Sequence, residues 1–371
     1  CGVGRGTRRT NRRTRRGNGI AVRRAVWWVL GGAVYAGLLL AGGCERGGPS
    51  VVLYVSTDEA VARPILEAFE RVHGIRVLMV GDTEASKTTG LIERLRSERD
   101  APLADVFWSS EAIGTVALAN EGLLAPHVSV STRDWPPQWR DAKYRWHAFS
   151  PRPRVLVFDP QRVREQDVPQ TWDGLTDPRW RGEIVMADPR FGTTGGHLAA
   201  MRRWYDTRGS DGWQRWLAGM AGNHVRMLPG GNAAVVDAVR RGEALLGATD
   251  ADDVRAANRA GASLAMVLPR HGEALGEGPM LMPNTVAIVQ GAPHPRAAAL
   301  LADWLCSPEV ARMLASSVSG NVPLFPGVAA EFPELAVDDP LELNLSEIEA
   351  VWASAVESAV FAMRETSSGA K

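Results

Sequence analysis

From residue 51 onward the chain alternates short β-branched runs with amphipathic helical stretches, and that alternation limits it to an α/β class, wound strand by helix. Residues 51–55 (Val-Val-Leu-Tyr-Val) have the continuous apolar character of a buried parallel strand. Val61, Ile65 and Phe69, flanked by Ala68 and Val72, then follow helical spacing until Gly74. The same logic predicts a strand over 75–80, a helix over 91–98, a strand over 105–108 and a helix over 113–120. Between 135 and 153 Pro, Trp and Arg accumulate, and regular structure is expected to lapse. A second alternating set follows, with strands over 155–158, 183–187 and 244–248 and helices over 198–205 and 233–241. After a Gly- and Pro-rich passage over 269–283 come a strand over 285–289 and a helix over 295–305. Ser307-Pro308-Glu309 then starts another helix, with serine as N-cap and proline at the first helical position. Only 366–371 reads as disordered.

Polar residues gather where strands give way to helices, which is where α/β proteins place ligands. Ser56, Thr57 and Asp58 follow the first strand, and Ser109, Ser110 and Glu111 follow the third. Thr193 and Thr194 lie in the Gly-rich stretch 192–196, Asn232 follows Gly230-Gly231, and Thr249, Asp250, Asp252 and Asp253 close the strand at 244–248. For any one of these loops helix capping, worth about 1 kcal/mol, is the favoured reading. The stretch 192–196 reads either as a flexible turn or as an anion cradle of free backbone N–H groups; lacking Gly-Lys-Ser/Thr, it is not a P-loop. Two carboxylates about 4 Å apart repel by roughly 4 kcal/mol at an effective dielectric of 20. If Asp58, Glu111, Asp250 and Asp252 converge, a cation or a bound amine must therefore neutralise them, and an all-oxygen set suits a hard metal ion. His197 and His224 are weaker candidate ligands.

Ahead of the alternating region stands an arginine-rich opening, an apolar run over 25–40 and Ala41-Gly42-Gly43-Cys44. That order is the layout of an export signal ending in a lipid-attachment cysteine, with 1–44 as the signal segment and Cys44 as the acylated residue. An uncleaved membrane anchor is the rival reading, and both place the remainder outside the cytoplasm. The leader holds nine arginines and no acids, leaving 33 basic against 42 acidic residues beyond it, so nucleic acid is not an expected partner. Of the three cysteines only Cys306 lies in the folded part, which excludes a disulfide framework and a cysteine-based zinc site. No Gly-x-Ser-x-Gly elbow, His-Glu-x-x-His or nucleotide fingerprint occurs, and a non-enzymatic role is expected.

Several segments in combination carry a family resemblance: 52–59 (Val-Leu-Tyr-Val-Ser-Thr-Asp-Glu), 104–111 (Ala-Asp-Val-Phe-Trp-Ser-Ser-Glu), 188–194 (Asp-Pro-Arg-Phe-Gly-Thr-Thr), 242–253, 283–289 and 292–295. With these the chain resembles the periplasmic solute-binding proteins of ATP-driven (ABC) importers, specifically the ferric-iron-binding group, over about 51–326. The resemblance implies a two-lobed, type II periplasmic-binding-protein fold with hinge strands and a ligand cleft. It places lobe 1 at 51–150, lobe 2 at 151–282, and the return of lobe 1 with the C-terminal helices at 283–371. The first crossing would run through 146–158 and the return through 269–285. It further implies a monomer tethered by lipid at the membrane and partnered by permease and ATPase subunits, with iron(III) as cargo rather than a resident cofactor. Ferric binders of this group use two adjacent tyrosines, a histidine and a glutamate. Here Tyr54, Tyr144 and Tyr205 are isolated, Asp58 stands near the histidine position, and Thr249 to Asp253 replace the tyrosine pair. The candidate metal set is accordingly Asp58, Glu111 and Asp250. Two cargoes stay open: a hard cation with a small anion at Thr193, Thr194 and Asn232, or an organic anion such as a phosphorylated sugar or phosphonate.

Overall fold

A computed structural model describes residues 48–82, 88–209, 211–342 and 344–368. The leader over 1–44, with Cys44, lies outside the described residues. Strands β1 (Ser50–Val55), β2 (Arg76–Gly81) and β3 (Val106–Ser109) are linked by helices α1 (Glu59–His73) and α2 (Thr89–Ser97), and β1 pairs in parallel with both β2 and β3. Helix α1 stops where the repeat ends, because Gly74 adopts the left-handed conformation at φ 64° and its N–H closes on the Glu70 carbonyl. Helix α3 (Ala112–Asn120) and the two-residue β4 (Leu124–Ala125) complete this part.

The expected lapse over 135–153 is only half right. Strand β5 runs from His147 to Phe158 with every residue buried, through two prolines. Its first half pairs antiparallel with β10 and its second half with β8 and β9, so one strand serves both parts of the sheet. Pro151 and Pro153 survive there because the strand changes partner near them: Leu281 opposes Pro153 at the end of one ladder, and Arg154 opposes Asp250 at the start of the next. The second alternating set is β6 (Ile184–Ala187), α4 (Thr193–Asp206), α5 (Gly212–Gly222), β7 (Arg226–Leu228), α6 (Gly231–Arg240), β8 (Leu246–Asp250), α7 (Ala251–Arg259) and β9 (Ala265–Val267). Strand β10 (Leu281–Val289) returns to the first set beside β3. The path across the sheet is β2-β1-β3-β10-β5-β8-β6-β7.

Helices α8 (Pro295–Leu305) and α9 (Pro308–Ser316) pack against the β1 side, and the Ser307 hydroxyl caps α9 by accepting from the Val310 N–H. After a short α10 (Pro326–Ala329), the long α11 (Leu345–Ser368) packs on α4 and α5 of the second set and also on α3 of the first. It also takes 366–368 into helix, where the sequence reads as disordered. Cys306 is a buried member of the core beside α8, as its apolar surroundings require.

Candidate ligand cleft

Five strand-to-helix junctions, the middle of β5 and the loop after α9 open on one cleft enclosing about 860 Å³ including its mouth. From the first set come Ser56, Thr57, Asp58 and Ser110; from the second come Gly192, Thr193, Gly230, Asn232, Asp250, Asp252 and Asp253; Arg152, Asn284, Ser319 and Asn321 also line it, with Val61 and Phe191 among the apolar lining. The stretch 192–196 is no flexible turn: Gly192 holds φ 62°, and Thr193 already begins α4.

Asp250 is the hub. Its Oδ1 accepts from Arg154 Nη1 at 2.7 Å. Its Oδ2 accepts from Thr193 Oγ1 at 2.8 Å, Asn232 Nδ2 at 3.0 Å and Arg152 Nε at 3.1 Å. Arg154, fully buried, also reaches Thr193, Thr194 and Asn232, and its Nε has no partner. Burial works to raise the Asp250 carboxyl, but the two guanidiniums outweigh it and hold the group below its ordinary value. Asp252, 3.2 Å from Arg152 Nε, is pushed up to about 6 by burial and by Asp250 and Asp58, against the pull of Arg152. Arg152 and Arg154 thus supply two built-in positive charges against the cleft aspartates.

Four expected site residues stand behind the cleft wall. Glu111 is buried, and its two oxygens accept from the Ile113 and Gly114 N–H groups at 2.7 and 2.8 Å, so it caps α3. Burial pushes its carboxyl up to about 7 against those two N–H groups and the more distant Arg152. It lies against α4, where a Cβ at Gly196 would come 3.1 Å from its Oε1. The Ser109 hydroxyl is closed on the Glu111 backbone, the Thr249 hydroxyl on the Asn232 carbonyl, and Thr194 faces Arg154. The structure therefore does not bring Glu111 together with Asp58 and Asp250. The carboxylates whose oxygens do approach one another, within 4.8 Å, are Asp250, Asp252 and Asp253. His197 is buried on the Trp172 ring, with Arg154 and His271 nearby, and burial holds it well below the ordinary histidine value. His224 sits in a left-handed turn after α5 and is not part of the cleft wall.

Sequence reasoning missed Arg152 and Arg154; it named Asp253 in its junction without counting it among the binding residues. The signal for the arginines was their i, i+2 spacing, which puts both on one face of a strand, hidden by the prolines around them.

A family model described as bacterial extracellular solute-binding protein matches residues 101–341. The chain belongs to this family. It is 28% identical over 273 residues to a probable ABC transporter periplasmic-binding protein of Sinorhizobium fredii, covering 70% of each chain. It is 27% identical over 275 residues to iron uptake protein A2 of Synechocystis, covering 70% of this chain and 76% of the relative. Iron-bound HitA from Pseudomonas aeruginosa superimposes with a TM-score of 0.73 at 21% identity, over 86% of this chain and 99% of that one. AfuA from Actinobacillus pleuropneumoniae, solved with fructose-6-phosphate, superimposes with a TM-score of 0.70 at 19% identity, over 86% and 99%. The fold is therefore the two-lobed periplasmic-binding-protein fold, in a family of solute-binding proteins rather than enzymes. Among the described residues no helix is long and apolar enough to cross a membrane.

Proposed function

We propose that this chain is the solute-binding component of an ATP-driven importer, capturing a small ligand in the cleft and presenting it to a membrane permease and its ATPase. The observation that carries the reading is the meeting of Ser56 to Asp58 and Ser110 with Thr193, Asn232 and Asp250 to Asp253 across one cleft. Lobe 1 is taken as 51–150 with the return from 283, and lobe 2 as 151–282. Cys44, as lipid-bearing residue, would hold a monomer beside its transporter.

The names of the relatives favour iron as cargo, and the three aspartates would offer iron(III) hard oxygen ligands with a small anion completing the coordination at Thr193 and Asn232. The saturation of Asp250 by four donor groups favours the second cargo, an organic oxyanion whose hydroxyls or amine would meet Asp58 and Asp252. The deciding experiment is elemental analysis of the chain purified without chelator, followed by thermal-shift titration with ferric citrate and with fructose 6-phosphate. A chain that answers to neither, alone or with a permease-containing membrane, sinks the importer reading.

A further inference from the structure

Arg152 occupies the place a cargo cation would need. Its Nε is 3.1 Å from Asp250 Oδ2 and 3.2 Å from Asp252 Oδ2, so a guanidinium already lies between two of the three carboxylates that approach one another. Its Nη2 is anchored to the Ser110 carbonyl at 2.7 Å, on the first set of strands, so the group is held from both sides of the cleft. Only 6% of the side chain is exposed, yet Arg152 lines the cleft and its Nη1 makes no hydrogen bond among the described residues. A nearly buried cation in the cleft wall, beside Thr193 and Asn232 and already paired with Asp250 and Asp252, is a barrier to a metal ion and keeps one N–H edge for an oxyanion. Coulomb repulsion opposes a ferric ion seated between Asp250 and Asp252 while Arg152 remains there.

We infer that Arg152 is a resident cation standing in for a metal, and that it sets the specificity of the cleft for a metal-free small molecule carrying an oxyanion. A phosphoryl or carboxylate group would lie on the Nη1 edge, with the hydroxyls or amine of the same molecule meeting Asp252. This rests on the importer reading and chooses between its two cargoes.

The test uses the full chain in detergent, titrated calorimetrically with inorganic phosphate, fructose 6-phosphate and ferric citrate, and weighed by native mass spectrometry. The wild type is expected to bind a phosphate-bearing probe with no metal present and to retain no iron. Arg152→Gln should weaken that binding at least about tenfold and gain retention of one ferric ion per chain. Arg152→Lys keeps the charge without the planar fork, so it should still exclude iron while binding phosphate more weakly than wild type. It also serves if the glutamine variant fails to fold. Iron held by the wild type with no response to either phosphate overturns the inference and leaves the importer reading intact. Unchanged phosphate affinity in both variants overturns it as well, whereas a wild type that binds none of the three overturns both.

Discussion

Glu111 and Asp250 hold matching positions, each an acid at the N-cap of the helix that follows a central strand, and they do opposite work. Glu111 spends both oxygens on the first turn of its own helix. Asp250 makes no side-chain cap to α7 at all; it accepts instead from Arg152, Arg154, Thr193 and Asn232, which come from three other elements. Burial therefore raises Glu111, which has backbone dipoles and no adjacent cation, whereas two guanidiniums hold Asp250 down. An acid at a strand-to-helix junction belongs to a ligand site when its helix must do without it.

The sharpest way to break this contrast is Asp250→Ala. It strands the fully buried Arg154 and leaves Arg152 with Asp252 and the Ser110 carbonyl, and urea unfolding should show a loss of about 3–5 kcal/mol. A loss near that of an ordinary cap would mean the hub is not a unit. Next in size is a pH effect of opposite sign at the two acids. The folded value of Glu111 lies above the ordinary 4.5, so the folded chain binds the extra proton between about pH 4.5 and 7. Its contribution therefore falls as pH rises through that window, by on the order of 3 kcal/mol at pH 7. Glu111→Gln should flatten the corresponding slope of stability against pH, and an unchanged slope would show that Glu111 is hydrated. Asp250, depressed, contributes above its unfolded value and loses that contribution as pH falls through the folded one. Gly196→Ala probes the α3–α4 contact from the other side: a Cβ there meets Met282 Cε at 3.0 Å and Glu111 Oε1 at 3.1 Å, and a cost of about 1–3 kcal/mol is expected in thermal unfolding. The smallest effect is that of Thr193→Ala, about 1 kcal/mol of stability: the hydroxyl donates to Asp250 and accepts from Arg154 and Asn232, but both of those donors keep Asp250 as a partner. Calorimetry should show it costing more in ligand affinity than in stability.

Much of the fold was legible because its signals are local. The apolar run at 51–55, the i, i+4 spacing of Val61, Ile65 and Phe69, and Gly74 as terminator each act within one element, and β1 and α1 follow them closely. The site was legible to the extent that junction loops carry polar residues. Ser56, Thr57, Asp58, Ser110, Thr193, Asn232, Asp250 and Asp252 all reach the cleft, while Ser109, Glu111, Thr194 and Thr249 turn to neighbouring backbone or to Arg154. Nothing within a junction tells these groups apart, since capping and ligand binding draw on the same side chains.

Residue order was enough to establish the alternating α/β class, the polar junctions and the absence of a tyrosine pair, since periodicity and composition are properties of neighbours along the chain. Which acid is held by arginine and which caps a helix came from packing. Arg152 and Arg154 lie 98 and 96 residues before Asp250, inside a proline-broken stretch that looks irregular until β10 and β8 pair with it. The pairing of β5 with two different partners is long-range, and it is this that puts Arg152 in the cleft wall and Arg154 behind it, both on Asp250.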